Sequence, residues 1–539
     1  MLSRLAFLAG AAVLLSTSGC SSNDVAAETA DRPGSVPTAD PTLGSRSLIT
    51  VQATATGLPI DARLFGTNIP AWVNPSQLGN DKVRAATSAL GTTLLRLPGG
   101  SWSNHYDWLK CEMGDTNGCF WTWASKPTDF LKFLRATRAE GMWTVSFNGT
   151  AKEAAALVAF FNGAVNDTTV IGVDVRGRDW KRVRDWAQLR ATTGNPAPYR
   201  IKLWEVGNEV YGAKPAFGGS NCISWGWEEV WTCDGNEYML GKGSGSTRRE
   251  GYLDFRAEMR KVDPTIMVGA VGVDKPGEWS NWGTKVIEKG GANLDFYIIH
   301  NYVTSQQPPN AASVLPAAQL MWKESLTSTN AAFDRILGRR IPIAVTEYNL
   351  AAFQDLDNAQ LMTRAVNALL IADIIGQLAA GGVSIANQWN LANGRANNGT
   401  DYGLIDGETA RRAPQYYALK LWSSVGSTLV PLTSPLPDQT TLSAYATRAA
   451  DGSLSILAIN KSGAPIDVRL ALQGVTRAMR VSADVMTAES LEAQEVTYNG
   501  NANPAIDFSN APSQALGEAT GSFDHTFPKY SLTVLRFKP

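Results

Sequence analysis

From about residue 62 to residue 425, short apolar β-rich runs alternate with longer stretches of helical spacing, and this rhythm confines the chain to parallel α/β architectures. Eight runs read as strands: residues 64–69, 93–97, 143–148, 201–207, 266–272, 295–301, 341–347 and 383–389. Between them, residues 128–140, 251–262 and 359–379 carry apolar side chains at helical intervals. Eight such alternations predict a (β/α)8 TIM barrel with long loops. A doubly wound open sheet is the alternative. It would carry a Gly-rich phosphate turn after an early strand, and Gly99-Gly100 alone is not that fingerprint.

After about residue 428 the texture changes. Residues 442–447, 453–460, 466–472, 479–484 and 530–537 are short alternating runs with no helical stretches between them, and they predict a C-terminal antiparallel β-sandwich. Residues 48–55 are also strand-like and are expected to join that sandwich. The chain therefore divides into residues 1–20, 21–47, 48–61 (a strand joining the sandwich), 62–427 (the barrel) and 428–539 (the sandwich).

The first twenty residues read as a targeting segment. Arg4 precedes an apolar stretch from Leu5 to Leu15, and Ser18-Gly19-Cys20 looks like a bacterial lipobox with Cys20 as the lipidated residue. Thr17 stands where lipoboxes usually carry Leu, so a plain secretory signal is the alternative. Both readings export the chain. The lipobox reading anchors it to a membrane at the cell surface, the outer membrane or the periplasm, with the Ser-, Thr- and Pro-rich residues 21–47 as a tether.

Removing Cys20 leaves Cys111, Cys119, Cys222 and Cys233. Three pairings are possible; the two local ones, Cys111 with Cys119 and Cys222 with Cys233, are expected in an oxidising compartment. A zinc site is the rival, opposed by the lack of any Cys-x-x-Cys and by only three histidines. With 48 basic and 49 acidic side chains, the chain has no general electrostatic grip on nucleic acid. No phosphate loop, EF-hand or His-Glu-x-x-His occurs, so no metal or cofactor is expected.

The strongest polar clusters end putative barrel strands, where such barrels build active sites. Leu203-Trp-Glu-Val-Gly-Asn208-Glu209 ends the fourth strand and Ile343-Ala-Val-Thr-Glu347-Tyr348 ends the seventh. Two carboxylates entering one cleft from different strands suit glycoside hydrolysis, one as proton donor and the other as nucleophile or base.

These motifs resemble the retaining glycoside hydrolases of clan A, and within them the family 51 α-L-arabinofuranosidases. The shared features are Phe65-Gly66-x-Asn68, Leu95-Arg96-Leu-Pro98-Gly99-Gly100, Tyr106-Asp107-Trp108, His300-x-Tyr302, Pro414-x-Tyr416-Tyr417-x-x-Lys420 and Tyr530-Ser-Leu-Thr-Val-Leu-Arg536. The resemblance implies that Glu209 is the acid/base, Glu347 the nucleophile, and Asn208 a partner of the sugar 2-hydroxyl. It implies that Tyr302 orients Glu347, that Gln388 contacts sugar, and that His300 is a hydrogen-bonder at the barrel mouth rather than a core histidine. Asn68 and Trp389 complete the substrate-binding candidates. A retaining enzyme should hold its carboxyls about 5–5.5 Å apart. Burial and the charge of Glu347 are expected to raise the pKa of Glu209.

Three departures from the family touch the pocket expected to recognise the furanose. Asn68-Ile69-Pro70 stands where the family has Glu after the first strand, Ser101 where it has Asn, and Tyr348 where it has Trp. The reaction implied is double displacement on a polysaccharide or oligosaccharide, with α-L-arabinofuranosyl release first. A clan A pyranosidase or endo-glycanase (glucanase, xylanase, glucuronidase) and a non-catalytic glycan-binding lipoprotein are the alternatives. Two tryptophan-rich loops, residues 105–127 and 212–247, are expected to wall the cleft, the alternative being that Trp108, Trp121, Trp123, Trp225, Trp227 and Trp231 pack beneath them. His105 could reach the cleft.

Overall fold

A computed structural model describes residues 46–115, 119 and 123–539; Cys20, the residues read as signal and tether through residue 45, and Trp121 lie outside the described residues. Eight parallel strands close into a barrel: Gly66–Pro70, Leu94–Gly99, Glu140–Val145, Leu203–Val206, Met267–Val271, Phe296–Thr304, Ile343–Ala351 and Ile385–Gln388. Closure is the pairing of Asn387 with Gly66 and Gln388 with Thr67. Leu94, Met142, Leu203, Phe296, Ile298, Ala344 and Ile385 fill the barrel interior as a cluster of their own, the packed core such barrels require.

Local chemistry sets the surrounding helices. Thr150 caps Ala151–Asn162 and makes a reciprocal box with Glu153. Asn80 caps Asp81–Leu90, which Gly91 ends in the left-handed region. Ala365–Ala380 is buried on nearly every face. The reason is position: it packs on the strand ending near Glu347, on Pro414–Trp422 and on the sandwich, so no face of it remains for water.

The sandwich has two sheets. One runs Leu432–Thr433, Ser47–Gln52, Ile466–Gln473, Ser522–Phe527; the other is built around Leu442–Arg448, Leu454–Asn460, Ser531–Lys538 and Met479–Thr487. The N-terminal strand joins it as expected, but parallel to Ile466–Gln473, with Leu48 opposite Arg469. The sandwich is therefore antiparallel except at this pairing. Two further strands, Gln514–Ala519 and Ser522–Phe527, escape the sequence pattern because each buries only its last side chain. Cysteines pair locally, Cys111–Cys119 and Cys222–Cys233. No described helix is long and apolar enough to cross a membrane.

Candidate active site

Glu209 and Glu347 meet at the C-terminal mouth of the barrel, in a cleft of about 590 Å3. Backbone geometry aims both. Gly207 sits at φ 81°, and a Cβ there would meet Val210 Cγ2 at 2.8 Å and Phe147 Cβ at 3.0 Å. Glu209 itself is left-handed at φ 40°, a conformation a non-glycine side chain adopts at a small energetic cost. On the sixth strand a bulge between Ile299 and His300 shifts the register, so that His300 pairs with Glu347 and Tyr302 with Asn349. One carboxylate oxygen of each glutamate and one imidazole nitrogen of His300 lie within 4.8 Å of one another. Among the described residues these three also form the group able to hold a cation.

Each carboxylate oxygen has a fixed partner. Glu347 Oε1 accepts from Arg96 Nη1 at 2.8 Å and Oε2 from Tyr302 Oη at 2.7 Å. Glu209 Oε1 lies 2.9 Å from His300 Nδ1, and Oε2 accepts from Trp227 Nε1 at 2.6 Å. Burial pushes the Glu209 carboxyl up, but the hydrogen bond and charge of His300, the Trp227 N–H and Arg96 outweigh it and hold the group below its ordinary value. This corrects the expectation of a raised Glu209. Burial works against His300 too, yet the two glutamates carry its pKa above the usual histidine value. Both shifts favour the proton on the imidazole over the Glu209 carboxyl.

Arg96 organises the floor. It is fully buried, donates to Glu205, and reaches Asn68 Oδ1 at 2.9 Å and Asn208 Oδ1 at 2.7 Å as well as Glu347. A buried guanidinium must be paired on all sides, and here four side chains from three strand regions do it. Asn208 lines the cleft with its amide orientation set from below: Oδ1 faces Arg96 and Nδ2 donates to Glu228 Oε1 at 2.9 Å. Glu228 is a third buried carboxyl, which also accepts from Asn104 Nδ2 at 2.8 Å. Burial, then the charge of Glu209, push it up to about 8.

His300, Tyr302, Asn208 and Trp389 therefore line the cleft. Asn68 and Gln388 do not. Asn68 is buried under Thr346, Asn387 and Gln388, donating to their carbonyls at 2.9, 3.2 and 3.2 Å. Gln388 Nε2 donates to the carbonyls of Trp389 at 2.8 Å and Tyr402 at 3.3 Å. Both brace the floor instead of facing substrate. Of the three departures from the family, only Ser101 faces the cleft; Tyr348 is buried against Trp322, ring centroids 6.3 Å apart.

The tryptophan loops divide. Trp108 is core, packed on Phe160, Trp180 and Trp186, and Trp231 stacks on Phe147 beneath its loop at 4.9 Å. Trp225 and Trp227 wall the cleft together with Trp279, Tyr211, Trp72 and Trp102. Trp389 packs on Gly100, where a Cβ would come within 2.6 Å of its ring. His105 turns to Glu229, 3.5 Å away, and is not part of the cleft lining. Arg96, Glu228 and Trp279 went unassigned from sequence. An arginine inside an otherwise apolar strand was the available signal for the first.

No family model matches the chain. It is 22% identical over 514 residues to a probable α-L-arabinofuranosidase C of Aspergillus niger, covering 85% of this chain and 87% of that one. Among solved structures it is similar to the α-L-arabinofuranosidase of Thermotoga maritima in its arabinose complex, with TM-score 0.68, 20% identity, and 91% of this chain and 99% of that chain covered. It is also similar to a Paenibacillus polymyxa xyloglucanase of glycoside hydrolase family 44, with TM-score 0.58, 12% identity, and 92% and 100% covered. The barrel-plus-sandwich fold of this chain is that of the solved family 51 α-L-arabinofuranosidases.

Proposed function

We propose that the protein is a retaining glycoside hydrolase that releases α-L-arabinofuranosyl groups. The observation that carries this reading is the approach of Glu209 and Glu347 within 4.8 Å around His300. One oxygen of each carboxylate within that distance favours the close spacing of a retaining pair over the about 6.5–9.5 Å at which an inverting pair holds its water. Glu347, fixed at both oxygens by Arg96 and Tyr302, attacks the anomeric carbon. The C–O bond to the leaving group breaks as Glu209 delivers the proton it shares with His300 to that oxygen. Water then loses a proton to Glu209, adds hydroxide to the anomeric carbon and frees Glu347. Asn208 Nδ2, held by Glu228, presents its second hydrogen for the sugar 2-hydroxyl. The similarity to proteins named as arabinofuranosidases supports the choice of sugar.

The two disulfides suit an exported chain, and a lipid on Cys20 would hold it to a membrane. The test of function uses the purified chain with aryl α-L-arabinofuranosides, β-xylosides and β-glucosides. Release of arabinose with retained anomeric configuration by proton NMR, abolished by Glu347→Ala, is expected. Inverted product, or activity that survives Glu347→Ala, would sink the assignment.

A further inference from the structure

Between the helices Ala151–Asn162 and Val183–Thr192 the chain makes an irregular hairpin that pairs Val170 with Arg182 and Val173 with Asp179. Residues 174–184 carry five basic side chains, Arg176, Arg178, Lys181, Arg182 and Arg184, against two acidic ones, in a chain whose formal charge is one negative. All five are exposed. Elsewhere on the surface such cations meet carboxylates, as Arg469 meets Asp524 and Arg340 meets Asp334. Here the aspartates serve the backbone instead. Asp174 Oδ1 accepts from the N–H groups of Arg176 and Arg178, Asp179 from that of Lys181 and Asp185 from that of Arg182, each at 2.9 Å. Among the described residues, none of the five cations forms an ion pair. Three of them are fixed all the same. Arg176 Nη2 donates to the carbonyls of Asn148 at 2.6 Å and Gly149 at 3.1 Å, Arg182 Nη1 donates to that of Thr168 at 2.7 Å, and Arg178 lies 4.2 Å over the buried Trp180 ring. Carbonyls and a ring face place these charges without neutralising them.

We propose that this hairpin is a docking surface, separate from the cleft, for an acidic polysaccharide that carries carboxylates along its chain. Positioned guanidiniums with N–H groups to spare match carboxylates through paired, charge-assisted hydrogen bonds. Val170, 61% exposed, stands opposite Arg182. A bare apolar side chain thus flanks a cation, as a sugar ring with C–H faces and a charged edge requires. Location favours a polymer over an anionic bilayer. Asn148, whose carbonyl Arg176 holds, follows the third barrel strand and donates to the carbonyls of Asn104 at 3.0 Å and Glu229 at 2.8 Å. Asn104 donates in turn to the carbonyl of Asn208 at 2.9 Å. Hydrogen bonds therefore link the hairpin to the cleft at the same end of the barrel. A bilayer docked there would face the cleft and shut polymer out, whereas a docked polysaccharide brings its branches to the mouth. That choice of partner rests on the hydrolase reading above; the uncompensated charge does not.

Binding is measured by calorimetry with the full chain, without any catalytic readout. The probes are polygalacturonate, which carries a carboxylate on every ring and no furanosyl group, and its fully methyl-esterified form, which keeps the rings and loses the charge. Polygalacturonate is expected to bind, and the ester to bind about tenfold more weakly or worse. The triple variant Lys181→Gln/Arg182→Gln/Arg184→Gln should lose about tenfold or more, as should the parent on going from about 50 to about 300 mM salt. Arg176→Gln/Arg178→Gln is expected to lose as much. If that pair fails a thermal melt, the triple variant still decides, because only Arg182 among its residues bonds to the rest of the fold. Equal binding of acid and ester, no binding of polygalacturonate, or binding indifferent to the triple variant overturns the docking surface. Phosphatidylglycerol vesicles held through these residues while polygalacturonate is not would overturn it in favour of a lipid surface. A chain that hydrolyses no glycoside yet binds polygalacturonate through them keeps the docking surface and overturns the hydrolase reading alone.

Discussion

His300 stands 2.9 Å from Glu209 through Nδ1 and 2.8 Å from Thr346 Oγ1 through Nε2, so the imidazole is a fixed second home for the proton that glycoside cleavage needs. Glu209 is held below its ordinary value and His300 above. The pair therefore keeps one proton until pH rises through the elevated imidazole value, and the alkaline limb of kcat/KM reports that loss. His300→Asn leaves the proton to the carboxyl alone and removes the hydrogen bond and charge that hold Glu209 down, so burial then raises that carboxyl. The expected outcome is an alkaline limb that moves because it passes from the imidazole to the carboxyl, with kcat down about tenfold or more. A pH–rate profile with an unmoved limb would show that the imidazole takes no part.

Arg96 binds Glu205, Glu347, Asn68 and Asn208 from one buried guanidinium. Lysine keeps the charge but has no planar fork to serve partners on three sides. Arg96→Lys is expected to lower kcat by about a hundredfold or more, roughly 2.7 kcal/mol of barrier, while KM changes less. Steady-state kinetics beside a thermal melt checks this. An equal loss in Arg96→Ala and Arg96→Lys would identify the fork, and a fully active Arg96→Lys would remove it.

The contrast between these two sites explains what the sequence could tell. Glu209, Glu347, His300 and Tyr302 each end an apolar strand, so hydrophobic period and polarity mark them before any coordinates exist. Arg96 shares the same type of strand, but its carboxylate partners lie 109 and 251 residues away, and only barrel closure brings them together. Glu228 sits in a long loop without periodicity, and nothing local distinguishes it from its neighbour Glu229, which pairs with Lys214 instead. Gln388 and Asn68 read as substrate-binding groups, yet their amide nitrogens are spent on backbone carbonyls of the barrel floor. Side-chain position along a strand is visible in sequence. Whether the head group faces water or the floor depends on the layer above it.

Glu228 makes stability depend on pH. Its carboxyl titrates at about 8 in the fold against 4.5 ordinarily, so between these values the folded chain binds a proton that the unfolded chain has released. Stability therefore falls as pH rises through that window. Glu228→Gln removes this slope. Relative to the parent, the variant should gain at least about 1 kcal/mol between pH 5 and pH 8, less than one pKa unit's worth of coupling. Urea midpoints at the two pH values measure it. Parallel shifts in parent and variant would assign the slope to other groups.

Lys461 and Asp373 form an ion pair with no exposed surface on either side chain, at the junction of sandwich and barrel. Asp373 also accepts from Gln319 at 2.8 Å, Tyr445 at 2.5 Å and Ser443 at 3.1 Å. It belongs to Ala365–Ala380, the helix packed against the strand that carries Glu347. Lys461→Met strands a buried carboxylate, and such a loss destabilises by about 3–5 kcal/mol. Adding Asp373→Asn removes the stranded charge and keeps acceptors for Gln319 and Tyr445, so the double variant is expected to recover more than half of that loss. Because the helix braces the Glu347 strand, activity in Lys461→Met should fade at the same urea concentration as the tertiary fluorescence signal. Recovery by the double variant reads the charge itself. A double variant as unstable as Lys461→Met would instead mean that the lysine stem, packed between the two domains, supplies the stability.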